Sequence, residues 1–287
     1  MLDVTASIVL YRNDYETLKK TVDSFLASPR ASKLILVDNS PTDVLRDLGN
    51  RDRCVYIFNN GNVGFGKAHN IAIQSVLDDT RYHLVLNPDV VFDNQVVGRL
   101  ADYLDQHPEV GLIMPRVLSF ESTMQFLARR LPSPADLIIR RLGFSWLVKL
   151  FEKKLYKYEM RDKNYNKIIN APSLSGCFML FSAEALRKVG LFDDRFFMYL
   201  EDVDISRRVH RAFQTLYFPD VHIFHGHARA SYHLNKLLFI HITSAIRYFN
   251  KWGWIFDRER SEFNNESRPE TIRPVWNTTS PESNNGK

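Results

Sequence analysis

A chain of 287 residues with 45% hydrophobic and 13% aromatic side chains has the apolar material for one large core, which excludes a chain disordered throughout. A formal net charge of +5 favours anionic partners such as nucleotides, diphosphates or an anionic membrane face. No nucleic-acid-binding motif accompanies that charge, so we expect no nucleic-acid partner, and two cysteines, Cys54 and Cys177, imply neither a disulfide framework nor a cysteine metal site.

The N-terminal residues carry no charged n-region followed by an apolar stretch, so no signal peptide is expected. No run reaches the roughly 18 apolar residues of a membrane span. The expectation is a cytoplasmic protein that meets a membrane only at its surface. Ala6–Tyr11 reads as a buried strand. Tyr15–Leu26 reads as a helix with Leu18, Val22, Phe25 and Leu26 on one face. Strands follow at Lys33–Val37 and Val55–Phe58, then a helix over Lys67–Leu77, then a strand at His83–Leu86. Strands spaced by helices predict an α/β fold with a parallel sheet covered on both faces.

Residues 137–158 mix Arg140, Arg141, Lys149, Lys153, Lys154 and Lys157 with apolar side chains, and read as a basic amphipathic helix or helix pair. Thr215–Phe218 is strand-like. Tyr232–Lys251 reads as a helix whose stripe is Leu234, Leu238, Ile242, Ala245, Ile246 and Phe249. From residue 261 the composition turns to Asn, Ser, Thr, Pro and Glu, which predicts a disordered tail. Its Asn277-Thr278-Thr279 fits a glycosylation sequon by pattern, and we read it as chance.

Ligands of such sheets bind beyond the carboxyl ends of the strands. Three polar clusters stand there: Asp38-Asn39-Ser40, Asn62-Val63-Gly64-Phe65-Gly66, and Asn87-Pro88-Asp89. Asp38 can accept from a nucleobase or ribose, or serve as a turn former. The glycine turn opens a helix whose N-terminus favours anions. It is not the dinucleotide fingerprint, because position 69 is His, and it lacks the Gly-Lys-Ser/Thr ending of a phosphate loop. Asp89 is placed to hold Mg²⁺ or Mn²⁺, or to be an ordinary turn residue.

Glu201, Asp202 and Asp204 put three carboxylates beside Phe192, Phe196, Phe197 and Met198. An acid in apolar surroundings is a candidate general base, although Arg207 and Arg208 sit at helical spacing to pair with these acids. His222, His225, His227 and His233 cluster beyond the strand at 215–218. One of them can be the nitrogen ligand of an oxygen-bound metal.

The order of these pieces resembles glycosyltransferase family 2 across roughly residues 4–250. The resemblance rests on Leu174–Phe181, on Val189–Asp204 with its Phe-Met-Tyr-Leu-Glu-Asp-Val-Asp run, on His225, and on Asn87-Pro88-Asp89. It looks closest to bacterial rhamnosyltransferases of O-antigen, lipopolysaccharide and related cell-surface polysaccharides. It implies a GT-A fold over residues 1–260: a nucleotide-donor half (1–115), an acceptor and catalytic half (116–230) and a C-terminal helix (231–260).

By the same resemblance Asp38 contacts the nucleobase, while Asn62, Gly64, Phe65, Gly66 and Asn70 form the donor turn. Asn87 and Asp89 occupy the metal-binding position, Asn87 replacing its first acid. Ser175, Gly176 and Glu201 face the acceptor, Asp202 is the catalytic base, and His225 joins Asp89 on the metal. Arg12 departs from the small polar residue more usual there, either touching the donor diphosphate or simply being exposed. Phe213 stands where a helix-ending Gly is usual, and we expect only a local change.

The resemblance further implies inverting transfer with Mg²⁺ or Mn²⁺, dTDP-rhamnose as the favoured donor, and a polyprenyl-diphosphate-linked saccharide as acceptor. It also fits peripheral contact with an anionic membrane at the inner face. A hexose or galactofuranose donor would use the same motifs. A nucleotidyltransferase would leave the late acids and His225 without a role, and a silent sugar-nucleotide-binding module would bind donor without transfer.

Overall fold

The structure, a computed structural model, describes residues 1–142, 149–226 and 234–265. The donor half begins with strand β1 (Leu2–Leu10), helix α1 (Tyr15–Leu26), β2 (Ala31–Asp38), β3 (Cys54–Phe58), α2 (Phe65–Gln74) and β4 (Thr80–Leu86). The apolar runs are strands because they are buried on both faces, as their near-continuous burial shows. α1 starts where the Asp14 carboxylate accepts the Thr17 N–H at 2.9 Å. It buries Leu18, Val22 and Phe25 against the sheet.

The register aligns the strand ends. Leu10 lies beside Asp38, Asp38 beside Phe58, and Ile8 beside Leu86. The three polar clusters therefore emerge along one edge of the parallel strands.

The chain continues through β5 (Val90–Phe92), α3 (Gln95–Gln106), β6 (Val110–Leu118), β7 (Ala128–Arg129) and α4 (Pro134–Leu142). Then come α5 (Glu152–Tyr158), β8 (Ile169–Asn170), β9 (Ser173–Leu174), β10 (Phe178–Ser182), α6 (Ala183–Val189), α7 (Glu201–Ala212) and β11 (Gln214–His225). Among the described residues the main sheet runs β3-β2-β1-β4-β10-β6-β11-β5, with β8 on β11, and β7 pairs β9 separately. The sheet is mixed: β10 runs antiparallel between β4 and β6, and β5 and β8 are antiparallel to β11. The four strands read from the first half of the sequence, β1 to β4, are parallel as expected, and the antiparallel pairs come from the strands after them. Alternation of strand and helix stops after β4, and the periodicity of a buried run carries no sign of its direction.

Helices α8 (Leu234–Trp252) and α9 (Arg258–Asn264) close the described chain. Tyr248 and Phe249 of α8 pack with Leu131, Leu137, Phe196, Leu200 and Val203 into a second apolar cluster. α8 thus props the turn that leads into α7. Only part of its predicted stripe is covered: Phe249 is buried, whereas Ile242 and Ile246 stay exposed. A tail disordered from residue 261 does not hold at its start. α9 runs on to Asn264, capped by Asp257, and the Asn264 amide brackets the backbone of Leu131 at 2.7 and 2.8 Å. Residues 266–287 lie outside the described residues, as do His227, His233 and the centre of the basic segment at 143–148. α7 ends at Ala212, and Phe213 leaves it in extended conformation, so the missing Gly changes only the exit locally.

Candidate active site

The donor edge is a hydrogen-bonded frame. Asp38 is fully buried: Oδ1 accepts the Ser40 N–H at 2.7 Å and Oδ2 accepts the Tyr56 hydroxyl at 2.5 Å. Burial and this carboxylate together push the Tyr56 hydroxyl well above its ordinary pKa. Asn39 Nδ2 donates to Asn62 Oδ1 at 3.3 Å and to the Gly64 carbonyl at 3.2 Å. Asn62 Oδ1 also accepts the Gly64 N–H at 3.0 Å. Arg12, exposed and with φ of 54°, donates its N–H to Ser40 Oγ at 2.8 Å.

Gly64 needs to be glycine twice over. Its φ is +95°, and a Cβ there would stand 2.4 Å from the Phe197 carbonyl oxygen. That same oxygen accepts the Phe65 N–H at 2.8 Å. Gly66 packs as closely, its absent Cβ falling 2.9 Å from Phe192 Cβ. The donor turn is therefore fastened directly to the stretch leading to the acidic cluster. Asn70 adds a second fastening. Its amide donates to the Phe192 carbonyl at 2.8 Å and Asp194 at 2.7 Å, and accepts the Phe192 N–H at 3.0 Å. Both ends of that amide bond within the protein, so the geometry of Asn70 is that of a brace.

At the end of β4, Asn87 donates its N–H to the Cys177 carbonyl at 2.9 Å. Asp89 Oδ1 lies 3.5 Å from His225 Nε2, and Asn87 Nδ2 lies 3.4 Å from the same nitrogen. The pairing of β11 with β5 brings them together, with Gly226 donating its N–H to the Asp89 carbonyl. Gln125 holds the other face of the ring, its Oε1 3.2 Å from His225 Nδ1. No group of three or more His, Cys, Asp or Glu side chains positioned for a metal occurs among the described residues. A carboxylate and an imidazole on one spot, with the Asn87 amide beside them, nonetheless fit Mg²⁺ or Mn²⁺, which take few protein ligands and complete their shell from phosphate and water.

The acidic cluster opens α7, preceded by Tyr199 and Leu200 with φ of 71° and 68°. Two consecutive left-handed non-glycine residues cost on the order of 1–3 kcal/mol each and persist only where surrounding packing holds them. Here α8 does so: Leu200 is in its apolar cluster, and Ser244 Oγ donates to the Met198 carbonyl at 2.8 Å. The turn aims three acids in different directions. Asp204 is fully buried and accepts from Arg208 Nε at 2.9 Å, Trp252 Nε1 at 2.8 Å and Lys251 Nζ at 2.7 Å. Its role is structural. Arg208 makes the pairing expected of it, whereas Arg207 turns away to Asp257 and Glu259.

Glu201 and Asp202 line a cavity of about 490 Å³ with Arg129, Ser175, Tyr199 and His241. Asp202 accepts the Gly176 N–H at 3.1 Å and the Val203 N–H at 2.8 Å. Burial nevertheless raises its carboxyl above the ordinary range, against the lowering effect of those two N–H groups and of Arg129. Glu201 is raised further, first by burial and then by the charge of Asp202, and its Oε2 has no hydrogen-bond partner among the described residues. The arrangement can supply a carboxylate base beside a neutral carboxylic acid.

Three cavity residues were not anticipated. Arg129 comes from the two-residue β7, its Nε buried and without a hydrogen-bond partner among the described residues. Tyr199 and His241 face each other with ring centroids 5.3 Å apart. Arg129 had its doublet with Arg130 as a sequence signal and Tyr199 its place in the Phe-Met-Tyr-Leu-Glu-Asp-Val-Asp run, but neither pointed to this cavity. The convergence of β7, the 199–200 turn and α8 is tertiary.

Residues 7–190 match the family model for glycosyl transferase family 2. The low-salt glycan biosynthesis hexosyltransferase of Haloferax volcanii is 25% identical over 213 residues, 74% of this chain and 63% of that protein. An N-acetylglucosaminyl-diphospho-decaprenol L-rhamnosyltransferase of Mycobacterium tuberculosis is 26% identical over 226 residues, 72% of this chain and 70% of that one. A rhamnosyltransferase of Escherichia coli (strain K12) is 25% identical over 270 residues, 89% of this chain and 98% of that protein. Among solved structures, GalNAc-T7 with UDP, GalNAc and Mn²⁺ superposes with a TM-score of 0.57 at 14% identity, over 78% of this chain and 43% of that one. A mannosyltransferase from Pyrobaculum calidifontis with GDP-Man and Mn²⁺ gives 0.53 at 16%, over 85% and 64%. These superpositions carry the fold, GT-A, and the family model carries the membership: the chain belongs to glycosyl transferase family 2.

Proposed function

We propose that this chain is an inverting, divalent-metal-dependent glycosyltransferase that moves a sugar, L-rhamnose from dTDP-rhamnose as first choice, to a lipid-linked saccharide. The observation that carries the reading is the position of Asp202: it lines the acceptor-sized cavity while the same loop is fastened to the donor turn through Phe197 and Gly64. Relatives named as rhamnosyltransferases support the choice of sugar. A polyprenyl-diphosphate-linked acceptor agrees with the decaprenol-linked substrate in the name of the mycobacterial relative. O-antigen, lipopolysaccharide or similar cell-surface polysaccharide is the product class, made at the inner face of the membrane.

Asp202, held by two backbone N–H groups, takes the proton of an acceptor hydroxyl as that oxygen attacks the anomeric carbon from the face opposite the nucleotide. Glu201, the more strongly raised acid, stays protonated and donates to the acceptor. Ser175 and the Gly176 loop border the same space. Asp38, Asn62, Gly64, Phe65 and Gly66 shape the nucleotide side, with Asn70 bracing the turn. Asp89 and His225, with Asn87 beside them, would hold Mg²⁺ or Mn²⁺, which supplies positive charge against the leaving diphosphate.

The test is release of nucleoside diphosphate from a panel of sugar nucleotides, dTDP-rhamnose included, with a lipid-linked saccharide and with Mg²⁺, Mn²⁺ or EDTA. Acceptor-dependent release from dTDP-rhamnose, abolished by EDTA, is expected. Release from a hexose nucleotide alone would move the chain to the reading that the haloarchaeal hexosyltransferase favours. Donor binding without release would make it a silent sugar-nucleotide module.

A further inference from the structure

The cavity that holds Asp202 borders a second one. Leu137 of α4 and His241 of α8 line it, and the same two residues line a second cleft of about 270 Å³ on their other side. That cleft runs between α4 and α8, and Ile138, Ile242, Ile246 and Trp254 are among its lining residues. Its character is the reverse of the first. Where the catalytic cavity carries Glu201, Asp202 and Arg129, this one is apolar except for His241. It is also open: Ile138 is 56% exposed and Ile242 47%. Phe239, 71% exposed, precedes Ile242 by three residues on the same helix. A monomer in water rarely leaves such a group of large apolar side chains uncovered unless something binds there.

We propose that the α4–α8 cleft seats the hydrocarbon chain of the acceptor, an isoprenoid-like chain whose diphosphate and saccharide occupy the neighbouring cavity. This rests on the lipid-linked acceptor of the preceding subsection and locates its tail. Adjacency argues for a chain of the substrate over a separate partner: the polar and apolar spaces share the lining residues Leu137 and His241, so a head group in one and a tail in the other can belong to a single amphipathic molecule. Charge matches this order. Arg129, whose Nε has no hydrogen-bond partner among the described residues, lines the polar side and suits a phosphate. Burial of the hydrocarbon then supplies affinity that the head group alone lacks. It also explains why the stripe on α8 is only half used by the core: Tyr248 and Phe249 hold the catalytic turn, while Ile242 and Ile246 are left for the chain.

Trp254 lines the cleft and reports on its contents. Geranylgeranyl diphosphate is titrated into the full chain while tryptophan fluorescence is read, with inorganic diphosphate as the head-only control. Saturable quenching by the isoprenoid at concentrations where inorganic diphosphate does nothing is expected. Ile242→Asp and Ile246→Asp, both at exposed positions the fold tolerates, weaken that binding by about tenfold or more. Circular dichroism confirms that each variant is folded. In transfer assays the same variants raise KM for a long-chain acceptor and leave a short-chain analogue of the same head group unchanged. Equal binding of isoprenoid and inorganic diphosphate overturns the proposal, as does an Ile242→Asp variant that binds like wild type. A fluorescence response to anionic vesicles alone overturns it too, and makes the face a bilayer contact. The two readings fail separately: saturable isoprenoid binding without nucleotide release removes the transferase reading and keeps the cleft, whereas equal KM for long- and short-chain acceptors removes the cleft and keeps the transferase.

Discussion

The backbone N–H of Gly176 donates to Oδ2 of Asp202 at 3.1 Å, tying the loop before β10 to the first turn of α7. With the Val203 N–H on Oδ1, the carboxylate lines the cavity, and no ion pair to an arginine or lysine holds it among the described residues. Asp202→Asn keeps an oxygen for one of those N–H groups and removes the base. Turnover should fall by roughly 10²–10⁴ with donor KM largely unchanged. Nucleoside diphosphate release under saturating donor measures this, and activity near wild type would place the base elsewhere.

Glu201 costs stability in return for its position. Its folded carboxyl holds a proton more tightly than the unfolded one, whose value is near 4.5. Stability is therefore fully present below that pH and is lost as pH rises towards the raised folded value. Glu201→Gln cannot ionise and escapes the loss. The variant should melt above wild type at pH 8, and the gap should narrow steadily as pH falls towards 4.5. Thermal melts across that range are the check, and a gap independent of pH would refute the account. Activity should be largely kept in the same variant if the neutral acid donates to the acceptor, since the Gln amide also carries N–H donors.

The buried histidines act in the opposite direction. Ser7 Oγ lies 2.7 Å from His69 Nδ1 and 2.8 Å from His83 Nε2, with Thr5 Oγ1 2.9 Å from His83 Nδ1. Burial lowers His83 from 6.5 to about 3 and also lowers His69 well below its usual value. Both are neutral in the fold, and the unfolded chain takes up their protons first. Stability should fall as pH drops below 6.5, by on the order of 2 kcal/mol at pH 5 from His83 alone. Since Glu201 gains over the same interval, the comparison is of slopes. His83→Asn should flatten the fall in urea midpoint between pH 7 and pH 5 relative to wild type.

What the sequence made readable is the part that local chemistry controls. The helix at Tyr15–Leu26 is recovered residue for residue, because its apolar face lies within its own length and its cap, Asp14, stands immediately before it. The strand-end clusters were visible because a polar residue ending an apolar run is a local signal, and the register then gathers them. The roles of Asp202 and Glu201 were expected from the family resemblance and not from local chemistry, because the contacts that separate the acids involve Lys251, Trp252 and Gly176, which come from distant elements. The same holds for Asn70, whose partners lie more than a hundred residues on, and for Arg129, whose strand has two residues and no period to detect.

The last case of distant pairing also sets the largest expected change in stability. Arg207 is among the largest fully buried side chains. Its two terminal nitrogens grip Asp257 at 2.8 and 2.6 Å, its Nε donates to Glu259 at 2.7 Å, and its guanidinium lies over the Trp252 ring at 4.1 Å. Asp257 in turn caps α9 through the Arg260 N–H at 2.9 Å. Breaking a buried pair costs about 3–5 kcal/mol, and because Arg207 keeps Glu259 as a partner the loss of Asp257 falls towards the lower end of that range. Asp257→Ala should therefore lower the melting temperature sharply. Arg211→Ala, which breaks the exposed pair with the same Glu259, should cost about 1 kcal/mol or less. Because α7 carries Arg207 at its middle and Asp202 at its start, the Asp257→Ala protein that remains folded should also lose turnover. Equal melting temperatures for the two variants would mean that water reaches Arg207 and that the C-terminal helix does not hold the catalytic turn in place.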